Sequence, residues 1–446
     1  MKRSAWRYLW KAEDIRKKLL ITLLLLAIYR LAGNIPVPGI NHSVLSQLAT
    51  TGGAAGSLFN LLDLLSGGTV SRFSILAMGV YPYITAQIII TLLIPIIPAL
   101  ERRMKENPKE AQTFQEKWTV ILTIPMALLS AVGQINIFNS LVQGQSILNH
   151  FGFTGANLLP TATTLIAMVA GTMFGVWLGQ LISEYGIRNQ GLSLIIFAGI
   201  VAKIPNNLYQ VLADKQYWWL IFFILILLAA IIFAIVFVQQ GRRNVPVMFP
   251  GRRIGNRQSM PVRSNLPLMV NMAGMIPLIF AQSILTFPSI VASYFLQNPV
   301  SWVASFANGI YHTFNGSGAW YALMYFLMVV VFTFFYTDVL FQQQNYGENL
   351  KKQGAQIAGV TRGNPTQKYL TRVQRRITFP GALFLGIIAV FPYILQAFLP
   401  IGNATSAGLF LTTPAGLLIA VGVVRDTFNI IDTELKLHGY DDRLVR

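Results

Sequence analysis

The sequence predicts an all-α polytopic membrane protein with ten transmembrane helices. Three observations carry this reading. Hydrophobic residues make up 54% of the 446, and the mean hydropathy is +0.55. Apolar runs recur along the chain at 19–33, 74–98, 118–138, 161–182, 192–211, 217–239, 267–292, 320–341, 377–398 and 407–425. A hydrocarbon core of about 30 Å takes roughly 20 apolar residues per helix, so ten helices use about half of such a chain. The segments between the runs alternate in charge. With residue 1 placed inside, the inside segments hold 30 of the 34 Lys and Arg residues. Lys and Arg resist translocation, so both termini are expected in the cytoplasm. Transmembrane β-strands alternate over short segments, whereas these runs are continuous, which excludes a barrel.

Residues 1–18 set Trp6, Tyr8 and Trp10 among seven basic side chains, the make-up of a cytoplasmic amphipathic segment among lipid headgroups. They lead into the first run with no small-residue cleavage site, so no signal peptide is expected to be removed. The outer segment 34–73 is long, and its stretch 57–66 is apolar, too short to span, and flanked by Gly52, Gly53, Gly56, Gly67 and Gly68. Such a helix either folds back among the other helices or lies at the membrane surface, and composition leaves both open. The first five runs form a unit at 19–211 and the next five a unit at 212–426. The link after 204–216 is the covalent joint between them, and 427–446 is a cytoplasmic tail. Two inside loops stand out: 240–266 carries six Arg, and 342–376 carries seven Lys and Arg. The positive-inside rule and anionic lipids account for most of the +18 net charge. They do not account for loops of ~27 and ~35 residues, longer than ordinary helix connections. A docking surface for a polyanionic cytoplasmic partner, such as ribosomal RNA, accounts for both charge and length.

An internal echo links the two units. Gly79-Val-Tyr-Pro82-Tyr-Ile84-Thr-Ala86-Gln87 in the second run matches Gly274-Met-Ile-Pro277-Leu-Ile279-Phe-Ala281-Gln282 in the seventh at five of nine positions. An odd number of spans per unit makes the units run in opposite directions, so the echo points to an inverted repeat, whose functional sites lie between the halves. The proline in each copy is expected to weaken its helix locally.

Enzyme chemistry finds no support. Cysteine is absent, and His42, His150, His312 and His438 are scattered. No phosphate loop, metal-ligating pair or acid pair occurs in a run, and no cofactor is expected. Arg30, Lys203, Glu184, Arg425 and Asp426 all sit near run ends, so the mid-membrane charge of an ion-coupled transporter is missing.

Several segments together resemble the SecY family, central subunits of the bacterial Sec protein translocon. These are Leu65-Ser-Gly-Gly-Thr-Val-Ser-Arg72 with Gly79 to Ile84, Leu266-Pro-Leu-Met-Val-Asn-Met-Ala-Gly274 with Pro277, Ser193-Leu-Ile-Ile-Phe-Ala-Gly-Ile200, and Asn349-Leu-Lys-Lys-Gln-Gly354. The resemblance covers residues 10 to 440. It implies two inverted five-helix halves around a central pore for unfolded polypeptide, with a sideways exit into lipid. It assigns the pore ring to Val80, Ile84, Ile196, Ile279 and Ile419, where an aliphatic constriction excludes ions by dewetting. It makes 57–66 a plug, presenting Leu58, Phe59, Leu61, Leu62, Leu64 and Leu65. It places the lateral gate between the second and seventh spans, with Thr85 and Phe287 on its walls. Gln87, Asn271 and Gln282 then bond either across the seam or within their own helices. Cytoplasmic partners, a SecA-type motor ATPase or a translating ribosome, would meet Arg252, Arg253, Arg257, Lys351, Lys352 and Arg362. Membrane subunits resembling SecE and SecG would brace the channel, and signal-sequence-bearing polypeptides would be its cargo.

The chain departs from the family pattern at Val80, usually Ile, and at Met269, usually Lys. The stretch from Gln258 to Leu266 is longer than usual, and Arg362 stands one position late in Gly359-Val-Thr-Arg-Gly363. Two other classes remain open on the residues alone. One is an inverted-repeat secondary transporter of a small solute. The other is an assembly or insertase factor without a continuous pore.

Overall fold

The computed structural model describes residues 13–41, 73–98, 100, 108–141, 148, 152, 155–213, 218–249, 253–254, 257–258, 262–293, 295, 300–314, 319–398 and 414–437. In chain order the elements are α1 (Glu13–Ala32), α2 (Tyr81–Ile96), α3 (Pro108–Leu141), α4 (Leu158–Tyr185), α5 (Gly191–Ala213) and α6 (Trp218–Gln240). Strands β1 (Arg242–Phe249), β2 (Arg253–Ile254), β3 (Arg257–Gln258) and β4 (Val262–Met269) follow. Then come α7 (Ile276–Ser293), α8 (Ser301–Phe314), α9 (Ala319–Gln343), α10 (Tyr346–Lys352), α11 (Asn364–Phe398) and α12 (Pro414–Leu437). Each of the ten apolar runs overlaps a helix, and among the described residues α8 and α10 are additional. Among the described residues, four stretches are long and apolar enough to cross a membrane: Thr113–Asn136, Leu158–Tyr185, Ala319–Lys352 and Asn364–Phe391.

The first five helices pack together, α2 on α3, α3 on α4, α4 on α5, and α1 against α4 and α5. The Arg30 guanidinium fastens α1 to α5 by donating to the carbonyls of Ala198 and Gly199. In the second group α9 packs extensively on α11 and also on α7, while α12 packs on α6 and α11. Arg425 joins α12 to α6 by donating to the Gln239 carbonyl at 3.2 Å. The two groups meet along two lines: α7 against α3 and, less extensively, α2; and α5 against α6 and α12. An ion pair of 2.7 Å between Lys18 of α1 and Glu434 of α12 also joins the groups.

The inside loops are folded. β1 and β4 form an antiparallel hairpin with Val245 opposite Leu266, so the apolar runs are helical while the loop 240–266 carries β-structure. Val245 and Val247 alternate inward with exposed Asn244 and Pro246 between them, the period of a half-buried strand. Met248 exchanges backbone hydrogen bonds of 2.8 and 2.9 Å with Gln356, on the side of β1 away from β4. Pro246 shares that outward phase, so its missing N–H costs the hairpin no bond. The bridge couples both loops into one unit whose core holds Val245, Val247, Leu268, Leu350, Ile357, Leu370 and Val373.

The second loop is also shorter than the expected 342–376, because α11 begins at Asn364. Leu370, Val373 and Ile377 recur at helical spacing and are buried, so a polar-looking segment extends the helix ahead of its apolar run. Arg375 on this extension binds Asp338 of α9 with a closest contact of 2.7 Å, and that carboxylate raises the guanidinium above its ordinary pKa.

Candidate functional site

The echo is a helix start, and this corrects the expected role of its prolines. Gly79 and Gly274 have φ of 53° and 64°, a left-handed conformation that glycine adopts without a Cβ penalty. Helices α2 and α7 begin two residues later, so Pro82 and Pro277 are each the second helical residue. There the N–H has no partner within the helix anyway, and the fixed φ suits the first turn. The prolines therefore set the point of entry and kink neither helix. The apolar runs starting at 74 and 267 begin as turns and, in the second case, as the end of β4.

This entry determines where the candidate pore residues lie. Val80 immediately precedes α2, and Ile84 and Ile279 are the fourth residues of α2 and α7. Ile196 and Ile419 are the sixth residues of α5 and α12. Val80, Ile196, Ile279 and Ile419 belong to one apolar cluster, with 1%, 7%, 6% and 4% exposure, and Ile84 packs against it. Four helices from both groups thus converge on five aliphatic side chains, and Met275 and Val423 complete the contact from the second group.

The candidate gate residues are more dispersed. Thr85 is half-buried and its hydroxyl donates to the Tyr81 carbonyl of its own helix at 3.0 Å. Gln87 is exposed, Phe287 is 45% exposed, and Gln282 is buried in α7. Asn271 precedes α7, and its amide donates to the Gly274 carbonyl at 3.0 Å, the local alternative left open by the sequence. One polar approach between the two helices lies outside the expected set. The Tyr81 hydroxyl of α2 lies near those of Ser283 in α7 and of Thr85, each of which donates to a carbonyl of its own helix. Tyr81 lies inside the echo and Ser283 directly follows it, a signal visible once the motif is placed at matching depth in two facing helices.

Of the basic candidates, Arg253 pairs with Gln258 and Arg257 with Ile254 in the short β2–β3 ladder beyond the main hairpin. Lys351 and Lys352 are exposed in the last turn of α10. Arg362 is exposed and donates to the Gln356 side chain at 3.1 Å, which ties it to the residue that bridges β1. Arg252 and the plug residues Leu58, Phe59, Leu61, Leu62, Leu64 and Leu65 lie outside the described residues.

Comparison with known proteins identifies the family and the fold. The SecY family model matches residues 74–428. The protein translocase subunit SecY of Aquifex aeolicus is 37% identical over 448 residues, 98% of each chain. That of Thermotoga maritima is 35% identical over 446 residues, 98% of this chain and 97% of the other. A solved structure of a protein conducting channel superposes with a TM-score of 0.61 at 17% identity, covering 96% of this chain and 95% of that one. A structure of a SecY protein described for its plug domain superposes with a TM-score of 0.59 at 18% identity, with the same coverage. The structural likenesses establish the fold, and the sequence relatives establish the family. The transporter and insertase alternatives thereby give way, and the chain belongs to the SecY family as a non-enzymatic, multi-pass, protein-conducting channel subunit.

Proposed function

We propose that unfolded polypeptide passes through this chain at the constriction formed by Val80, Ile84, Ile196, Ile279 and Ile419, and that hydrophobic segments leave sideways where α7 meets α2 and α3. The observation that carries the proposal is the convergence of five aliphatic side chains from four helices of both halves. Aliphatic side chains bind neither water nor ions, so a narrow ring of them stays dry when closed, yet side-chain rotation lets it yield to a passing chain. The chain crosses the membrane ten times in two inverted five-helix halves, with both termini cytoplasmic. The matched starts of α2 and α7 support the repeat. Residues 57–66 close the outer vestibule as a plug.

The cytoplasmic unit built on β1, β4, α10 and the start of α11 is the docking surface for a SecA-like motor or a translating ribosome. Its basic residues Arg252, Arg253, Arg257, Lys351, Lys352 and Arg362 make charge-assisted contacts there. Subunits resembling SecE and SecG accompany the channel in a bacterial inner membrane, where anionic lipids meet its basic inner face.

The test is to make the ring polar. Ile84→Ser with Ile279→Ser, in channels reconstituted with their small membrane subunits, should raise resting ion conductance while α-helical content is unchanged. Conductance that stays at the wild-type level would place the seal elsewhere.

A further inference from the structure

Helix α8 has no role in the channel as described so far. Its 14 residues span about 21 Å, too short to cross a bilayer. Its surface divides into three faces. Ala307 and Tyr311 are buried, and they cluster with Ala292 near the end of α7. Trp302 and Phe306, one turn apart, are 72% and 66% exposed, and Ile310 continues the same stripe half-buried. Ser305, Asn308 and His312 are exposed on the remaining face. One face on protein, one apolar and one polar is the pattern of a helix lying along a membrane surface.

The neighbourhood identifies the occupant of the apolar face. Phe295 and Val300 precede α8 and Trp320 is the second residue of α9, and all three are well exposed apolar side chains, so exposed apolar groups flank the stripe on both sides in the sequence. Trp302 and Trp320 bracket the segment, and tryptophan concentrates at the level of lipid headgroups. Residues 293–319 contain no Lys, Arg, Asp or Glu, so charge cannot be what holds this segment to its partner.

We propose that α8 docks on the outer lipid surface itself, with Trp302, Phe306 and Ile310 immersed below the headgroups, and that it anchors the outer end of gate helix α7. Binding is by apolar burial and is indifferent to lipid charge, unlike the contacts of the basic inner face. Movement of α7 during gating then drags an interfacial helix, which couples the seam to the state of the outer leaflet. This inference rests on the proposed orientation, with 293–319 outside.

The chain has no cysteine, so a single introduced cysteine takes a single label. Nitroxides are placed at Phe306→Cys, Gly309→Cys, Ser305→Cys and Asn308→Cys in the complex in lipid nanodiscs. Gly309 borders the apolar stripe, and a Cβ there meets nothing within 4 Å, so this site reports without disturbing the fold. Positions 306 and 309 should collide preferentially with oxygen, and 305 and 308 with a water-soluble nickel complex. Neither pattern should shift when anionic lipid is replaced by zwitterionic lipid. Nickel preference at 306 and 309, or protection of both from either reagent, would overturn the proposal, the second result by showing that a protein covers the stripe. A pattern that collapses without anionic lipid would overturn it as well. Labelling of Ser305→Cys by an impermeant maleimide from the cytoplasmic side would instead refute the orientation.

Discussion

The proximity of the Tyr81 and Ser283 hydroxyls predicts a hydrogen bond between α2 and α7 whose removal should loosen the closed seam by a calculable amount. Neither side chain is left stranded by loss of the other. Ser283 also donates to the Ile279 carbonyl at 2.7 Å, and the Tyr81 hydroxyl keeps Thr85. Tyr81→Phe and Ser283→Ala therefore remove the bond without leaving an unpaired buried donor, which would add a desolvation cost of its own. Hydrogen bonds between membrane helices are worth about 0.6 kcal/mol on average and up to roughly 2. At about 1.4 kcal/mol per tenfold, each substitution should shift the open-to-closed ratio about 3- to 30-fold toward open. The double variant should shift it no further than either single one. The readouts are resting conductance and the least hydrophobic signal sequence that still initiates transport, which should fall. Additive effects of the two substitutions would show that the hydroxyls act independently. Covalent closure tests the same seam from the other side. Thr85→Cys and Phe287→Cys joined by a short linker should stop translocation, and full transport through a quantitatively linked seam would move the exit to another helix pair.

Three further outcomes follow from packing. Gly191→Ala should lower the thermal midpoint in detergent, because a Cβ there overlaps the Gly179 carbonyl where α5 meets α4, whereas Gly309→Ala should be neutral. Such overpacking costs about 1–3 kcal/mol, so equal midpoints would mean the helices part freely. Leu268→Ala, at a buried site costing about 2–5 kcal/mol when truncated, should raise proteolysis of the hairpin and weaken motor or ribosome binding while the spans insert normally. Unchanged proteolysis would show that the cytoplasmic unit does not depend on its core. Lys18→Glu and Glu434→Lys should each destabilise the chain by about 1 kcal/mol, as expected of a partly exposed pair, and together recover much of it. A double variant no better than the singles would reduce the pair to an incidental contact.

The membrane body was legible because hydropathy averages over many residues and survives local irregularity. Charge asymmetry supplied the proposed orientation, and the echo the proposed relation between the two halves. The cytoplasmic unit was illegible for a local reason. Val245, Val247 and Leu268 do alternate, but Arg242, Arg243 and two prolines dominate the same windows and read as loop. The prolines are harmless only because of their phase in the ladder, which depends on the bridge between Met248 and Gln356, more than 100 positions apart. Likewise, the start of α11 became visible as helix only through the burial of Leu370 and Val373 against the hairpin.

The glycine–proline starts explain why the proposed constriction and the predicted Tyr81–Ser283 bond lie close together. A helix that begins inside the membrane exposes unsatisfied N–H groups, which lipid cannot satisfy. Proline at the second position removes one such donor from α2 and from α7, and positive-φ glycine lets the chain turn into the helix within the shelter of neighbouring helices. The first turns of both helices are therefore confined to the protein interior, which is also where a seal must sit. Ile84 and Ile279 occupy the fourth position of each helix, and Ser283 lies one turn beyond Ile279. On the proposed reading, separating α7 from α2 parts the Tyr81 and Ser283 hydroxyls and two of the five side chains of the proposed ring in a single movement. Such a coupling makes the closed state cooperative while keeping each contact weak, so a hydrophobic segment bringing a few kcal/mol of burial energy can open it.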